Sequence, residues 1–74
     1  MTREEKAKLE IIGDNLRFQR KRAGLTQTKV HNELGITQNT VCNYERGQRS
    51  PSTLRLLRLA KMYGCSVKDF LEGV

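Results

Sequence analysis

Apolar residues recur along this chain at helical spacing. Leu56, Leu59, Ala60 and Tyr63 fall at i, i+3, i+4 and i+7, one stripe of a helix. Val30 and Leu34 form an i, i+4 pair, and Val41 with Tyr44 an i, i+3 pair. Four glycines (Gly24, Gly35, Gly47, Gly64) each stand where a left-handed residue would close a helix. Thr26, Thr37, Ser52 and Ser66 follow shortly after, placed to accept hydrogen bonds from the free N–H groups of the next helix. This punctuation predicts five helices, over about Ile12–Ala23, Gln27–Leu34, Gln38–Arg46, Thr53–Tyr63 and Val67–Leu71. Ser66-Val67-Lys68-Asp69 resembles a capping box with Asp in place of Glu. Thr2-Arg3-Glu4-Glu5 is another, and predicts a frayed helical extension over residues 3–10. Gly13 argues against one unbroken helix running from there to Ala23. Nothing reads as a strand. The expected class is all-α, with an extension over residues 1–11, a helical domain over 12–71 and a tail over 72–74.

Helices two and three are joined by Gly35-Ile36-Thr37. A short turn with glycine between two short helices is the helix-turn-helix arrangement. Ile36 is placed to plug the gap between them. Helix three then carries Gln38, Asn39 and Asn43, amides that can bond a base edge bidentately, adenine most often. The competing reading is a plain solvated helix face.

Charge sharpens the choice of partner. The 74 residues carry a net charge of +6, with 36% hydrophobic and 30% charged residues. That balance favours a polyanionic partner, nucleic acid before an anionic membrane. The charge is unevenly spread: residues 1–10 sum to zero, while residues 11–24 carry Arg17, Arg20, Lys21 and Arg22 against Asp14 alone. A chain this short builds a thin core, which argues against a deep substrate cleft. With one His, no Ser/His/Asp constellation and no phosphate loop, enzymatic acid–base work lacks actors. Cys42 and Cys65 are too few for a disulfide scaffold and lack metal-ligand spacing. They read as reduced thiols of a cytoplasmic protein that needs no metal or cofactor. No apolar run approaches the length of a membrane span.

Gly24-Leu25-Thr26-Gln27, Glu33-Leu34-Gly35-Ile36-Thr37-Gln38 and Tyr44-Glu45-Arg46-Gly47-Gln48-Arg49-Ser50-Pro51-Ser52 together resemble the phage-repressor-like (Cro/repressor, XRE) helix-turn-helix family. The likeness continues through Leu59-Ala60-Lys61 and Gly64-Cys65-Ser66-Val67 to Phe70-Leu71, covering roughly residues 12–71. It implies a compact five-helix bundle of the lambda-repressor type. It further implies a regulator, a repressor, that binds a pseudo-palindromic duplex operator as a homodimer. Gln38, Asn39 and Asn43 would read base edges, with Thr40 a lesser candidate. Gln27 would contact a backbone phosphate, as would Arg46 and Arg49, helped by free N–H groups of Gly47 and Gln48. Arg17 and Lys21 on helix one would flank the DNA, and Cys42 could touch a thymine methyl or a phosphate. Arg20 and Glu45 would form an ion pair linking helix one to helix three. An alternative is an antitoxin or restriction-system controller with a partner protein.

Three positions depart from the family pattern. His31 stands where a small alanine is usual, and reads as an accommodated, partly exposed side chain. Gln19 replaces a usual core leucine beside an apolar Phe18, so either helix one is rotated or Phe18 is an exposed contact surface. Thr53 occupies a commonly apolar position, with Leu54 adjacent.

Overall fold

The computed structural model describes all 74 residues, Met1–Val74. Five helices follow one another without a strand: α1 Arg3–Arg22, α2 Gln27–Leu34, α3 Gln38–Glu45, α4 Thr53–Tyr63 and α5 Val67–Phe70. Four of the five lie within a residue of the expected bounds. Arg46 and Leu71 fall just outside their helices, as C-caps. The first helix differs. Instead of opening near Ile12 it opens at Arg3 and runs unbroken for 20 residues, so a boundary drawn at residue 12 falls inside it.

Two causes account for the longer α1. Thr2 and Glu5 form a reciprocal box, Thr2 Oγ1 accepting from the Glu5 N–H at 3.1 Å and Glu5 Oε1 accepting from the Thr2 N–H at 2.8 Å. These bonds hold the Glu5 carboxyl below the usual carboxylate range. Gly13 does not break the helix because its missing side chain is a packing requirement. A Cβ there would stand 2.5 Å from the Glu45 carbonyl oxygen and 2.7 Å from that of Tyr44. The glycine lets α1 press directly on the backbone of α3. At 1.5 Å per residue α1 is about 30 Å long, comparable to the 31 Å longest extent of the molecule.

The core gathers residues from every helix: Leu16, Val30, Leu34, Val41, Tyr44, Leu59, Ala60, Tyr63 and Phe70. Tyr63 and Phe70 meet edge to face, ring centroids 6.0 Å apart. Ile36, in the turn between α2 and α3, packs against this core from its rim. Gln19 is buried and accepts from Arg22 Nη1 at 3.2 Å, while Phe18 is 62% exposed. Of the two readings of that pair, the exposed Phe18 is the one found. His31 is half-buried, its Nδ1 3.1 Å from the Ile36 carbonyl oxygen. Thr53 and Leu54 are both exposed.

Asn15 supplies a long-range tie. Its Nδ2 donates to the carbonyls of Phe70 at 3.0 Å and Glu72 at 2.8 Å, fastening the C-terminal turn to α1. Cys42 and Cys65 are free thiols, and burial pushes the Cys65 thiol up.

Candidate nucleic-acid interface

Helix α3 is fixed at one end and offered at the other. Val41, Tyr44 and Glu45 turn inward. Gln38 and Asn39, in the first turn, are exposed. Asn43 is half-buried and lies about 40° from Asn39 around the helix axis. No protein group bonds the side chains of these three amides. Thr40 is committed locally, its N–H donating to Thr37 Oγ1 at 3.1 Å and its hydroxyl 2.8 Å from the same oxygen.

Arg20 and Glu45 meet beneath this surface. Arg20 Nε donates to Glu45 Oε2 at 2.7 Å and Nη2 donates to Oε1 at 3.1 Å, with the side chains only 10% and 5% exposed. Arg20 Nη1 also donates to the Leu25 carbonyl at 2.9 Å. The Glu45 hydrogen bonds push the Arg20 guanidinium further above its ordinary value. The pair fastens α1 to the C-terminal turn of α3.

Arg17, Arg20, Gln27, Cys42, Glu45 and Arg46 line one polar cleft. Gln27, Gln38, Asn39 and Cys42 line a second, more open one. Gln27 and Cys42 belong to both, so the clefts adjoin along α3. Arg17, Lys21, Arg46 and Arg49 are exposed and have no ion-pair partner. The fold thus brings Arg17, Gln27, Cys42, Arg46, Gln38 and Asn39 together. Lys21, Arg49, Thr40 and Asn43 line neither cleft.

One expectation is corrected. The N–H groups of Gly47 and Gln48 are not free: they donate to the Tyr44 carbonyl at 3.3 Å and the Asn43 carbonyl at 3.0 Å. With Gly47 at φ 71°, this is the paired bonding that closes a helix through a left-handed residue. Those donors serve the end of α3 and leave Arg46 and Arg49 as the loop's available groups.

Three features escaped the sequence reading. Gln27 Nε2 donates to Glu45 Oε1 at 3.0 Å, which joins a site residue to the buried ion pair. Asn15 and Gly13 carried no local signal of their long-range partners.

Comparison with known proteins decides the family. Residues 16–70 match the model of a family described as Helix-turn-helix. The chain belongs to the phage-repressor-like helix-turn-helix family. This helix-turn-helix chain is 40% identical over 62 residues to the HTH-type transcriptional regulator ImmR of Bacillus subtilis, covering 84% of the chain and 48% of the relative. It is 31% identical over 62 residues to the Cryptic phage CTXphi transcriptional repressor RstR of Vibrio cholerae, covering 84% and 56%. It therefore spans about half the length of those two relatives. Among solved structures, the restriction-modification controller protein C.AhdI from Aeromonas hydrophila superposes with a TM-score of 0.78 at 31% identity, over 86% of this chain and 97% of that one. The BldD DNA-binding domain of S. venezulae gives 0.76 at 31% identity, over 88% and 97%. No helix here is long and apolar enough to cross a membrane, and no three His, Cys, Asp or Glu side chains gather to hold a metal ion.

Proposed function

We propose that this protein is a non-enzymatic, sequence-specific duplex-DNA-binding transcriptional regulator, a repressor, acting in the cytoplasm on a pseudo-palindromic operator. The observation that carries the reading is the pairing of two unsatisfied surfaces. Exposed amides on the first turn of α3 have no protein partner, and beside them Arg17 and Arg46 have no counter-ion. Phosphate neutralisation by Arg17, Lys21, Arg46 and Arg49 supplies affinity without sequence information. Gln38, Asn39 and Asn43 supply base choice from a helix entering the major groove by its N-terminus.

Selection on random duplex DNA tests this reading. Gln38→Ala and Asn43→Ala are expected to relax base preference at a few positions per half-site while non-specific affinity holds. Arg46→Ala and Arg49→Ala are expected to weaken all duplexes and reduce the log–log salt slope by about one each. Variants at Gln38 and Asn43 that both select the wild-type operator at every position would overturn it.

Reading a palindrome requires two copies with their α3 helices about 34 Å apart. Of the C-terminal apolar residues Phe70, Leu71 and Val74, Phe70 is spent in the core, so a homodimer through α5 and the tail would rest on the exposed Leu71 and Val74, 44% and 47% accessible. Phe18 offers a rival apolar contact. Sedimentation equilibrium separates the two, since deletion of Val74 breaks the first arrangement and Phe18→Ser the second. A second functional reading, control of a restriction system, is favoured by the likeness to C.AhdI over nearly all of that chain. Its test is whether the neighbouring reading frames encode a methyltransferase and a nuclease.

A further inference from the structure

We infer that Glu45 is a positioning residue for DNA binding, aiming the Gln27 carboxamide so that its nitrogen faces the DNA backbone. The inference rests on the DNA-binding reading above and adds a role for Glu45 beyond the ion pair.

The chemistry runs through one oxygen. Glu45 Oε1 accepts from Arg20 Nη2 at 3.1 Å and from Gln27 Nε2 at 3.0 Å, while Oε2 is held by Arg20 Nε at 2.7 Å. An ionised carboxylate can only accept, so it selects the nitrogen end of the Gln27 amide and rejects the oxygen end. That nitrogen carries two protons. One is spent on Glu45, and the second is left for another acceptor. Gln27 lines both clefts along α3, between Arg17 and Arg46 on one side and Gln38 and Asn39 on the other. A phosphate oxygen, which also only accepts, is the complementary group. Without Glu45 the amide could turn and present its carbonyl oxygen, which repels a phosphate.

An anion this close to a phosphate would ordinarily oppose binding. Here Arg20 neutralises it through two hydrogen bonds, and Arg17 and Arg46 in the same cleft keep their charge uncompensated. Glu45 therefore directs a donor without leaving the cleft negative.

The test uses the full chain and a short duplex of mixed sequence. Gln27→Ala is expected to weaken binding about tenfold, the scale of one hydrogen bond to a charged acceptor. The salt slope should stay unchanged, because a neutral amide displaces no counterion. Glu45→Gln, compared at a temperature where circular dichroism shows it folded and with both affinities extrapolated to high salt so that the freed Arg20 charge is screened, should weaken binding by a similar factor. The double variant should be no weaker than either single one. Should Glu45→Gln fail to fold, the wild-type Gln27 side-chain amide decides by NMR. One of its two protons should be protected with and without DNA, and only the other should shift as duplex is added. Multiplying effects of the two substitutions overturn the inference, and so do two equivalent Gln27 protons indifferent to DNA. Those outcomes leave the DNA-binding reading standing. Wild-type protein that binds no duplex at low salt overturns that reading itself.

Discussion

Arg20→Met isolates the buried ion pair, and its cost can be worked from the contacts. In the wild type the Glu45 carboxylate receives two hydrogen bonds from Arg20 and one from Gln27. The substitution leaves only the neutral Gln27 donor against a carboxylate that is 5% exposed. It also strips the Leu25 carbonyl of its Arg20 partner. Removing one member of a buried pair typically costs ~3–5 kcal/mol. A chain of this length, at ~0.05–0.15 kcal/mol per residue, has a total stability of ~4–11 kcal/mol. The single variant should thus lose a large part of its stability. Arg20→Met/Glu45→Leu removes both charges and fills the space with apolar atoms, and should recover most of the loss. Urea unfolding followed by far-UV circular dichroism measures these two, the Glu45→Leu single variant and the wild type at one protein concentration. The midpoint should drop in Arg20→Met with the slope constant, and the double-mutant coupling should exceed ~2 kcal/mol. Coupling below ~0.5 kcal/mol, or an Arg20→Met variant as stable as wild type, would refute the claim that the two charges depend on each other.

Three further substitutions probe the rest of the frame. Gly13→Ala would ordinarily stabilise a helix by ~1 kcal/mol. Here the added Cβ meets the Glu45 carbonyl at 2.5 Å, so the same unfolding assay should show a loss of ~1–3 kcal/mol. A gain would refute the close approach. Asn15→Ala strands the Phe70 and Glu72 carbonyls. It should cost ~1–2 kcal/mol and speed amide exchange over residues 71–74, which hydrogen-exchange NMR reads directly. Burial, with Glu45 nearby, pushes the Tyr63 phenol well above its ordinary value of 10.0. The fold therefore favours the neutral phenol. That contribution is intact below about pH 10 and declines as pH rises from there towards the folded value. Tyr63→Phe should be less sensitive than wild type to the same alkaline change in an unfolding titration, and equal sensitivity would count against it.

Much of the fold was legible because its signals are local. Thr26, Thr37 and Ser52 each cap a helix through a bond to an N–H three residues on. Gly24, Gly35, Gly47 and Gly64 all adopt the positive φ assigned to them. What escaped depends on residues far apart in sequence. Gly13 looks like a helix breaker until the α3 backbone is brought against it. Asn15 is an ordinary polar position until Phe70 and Glu72 arrive 55 and 57 residues later. Within the candidate site, the exposure of Gln38 and Asn39 on the outer face of α3 could be read from type and spacing. The Gln27–Glu45 bond could not, because it depends on how α2 and α3 are set against each other. The donors of Gly47 and Gln48 were misread for a related reason. A glycine that closes a helix uses its own N–H and the next one in doing so, so a loop at that point offers fewer backbone donors than its exposure suggests.

These contacts share one geometric property that bears on function. The long-range polar and backbone contacts to α3 converge on its C-terminal end. Gly13 packs on the carbonyls of Tyr44 and Glu45, and Gly47 lies where a Cβ would strike Glu10. Arg55 Nη1 donates to the Tyr44 hydroxyl at 3.1 Å, and Arg20 and Gln27 both hold Glu45. The first turn, with Gln38 and Asn39, is secured by the local Thr37 cap, by Ile36 packed on the core just before it and by the buried Val41 behind it. A helix anchored this way leaves the side-chain donors and acceptors of Gln38 and Asn39 unspent, while the Thr40 hydroxyl is committed to Thr37. If α3 enters DNA as proposed, substitutions at Gly13, Arg20 or Gly47 should tilt or free the whole helix and change affinity for every sequence together. On the proposed reading, substitutions at Gln38 or Asn39 should leave the anchor intact and alter base preference alone. The fold thus separates the residues that anchor α3, at its C-terminal end, from the exposed amides of its first turn, so those amides can be exchanged without disturbing the core that supports them.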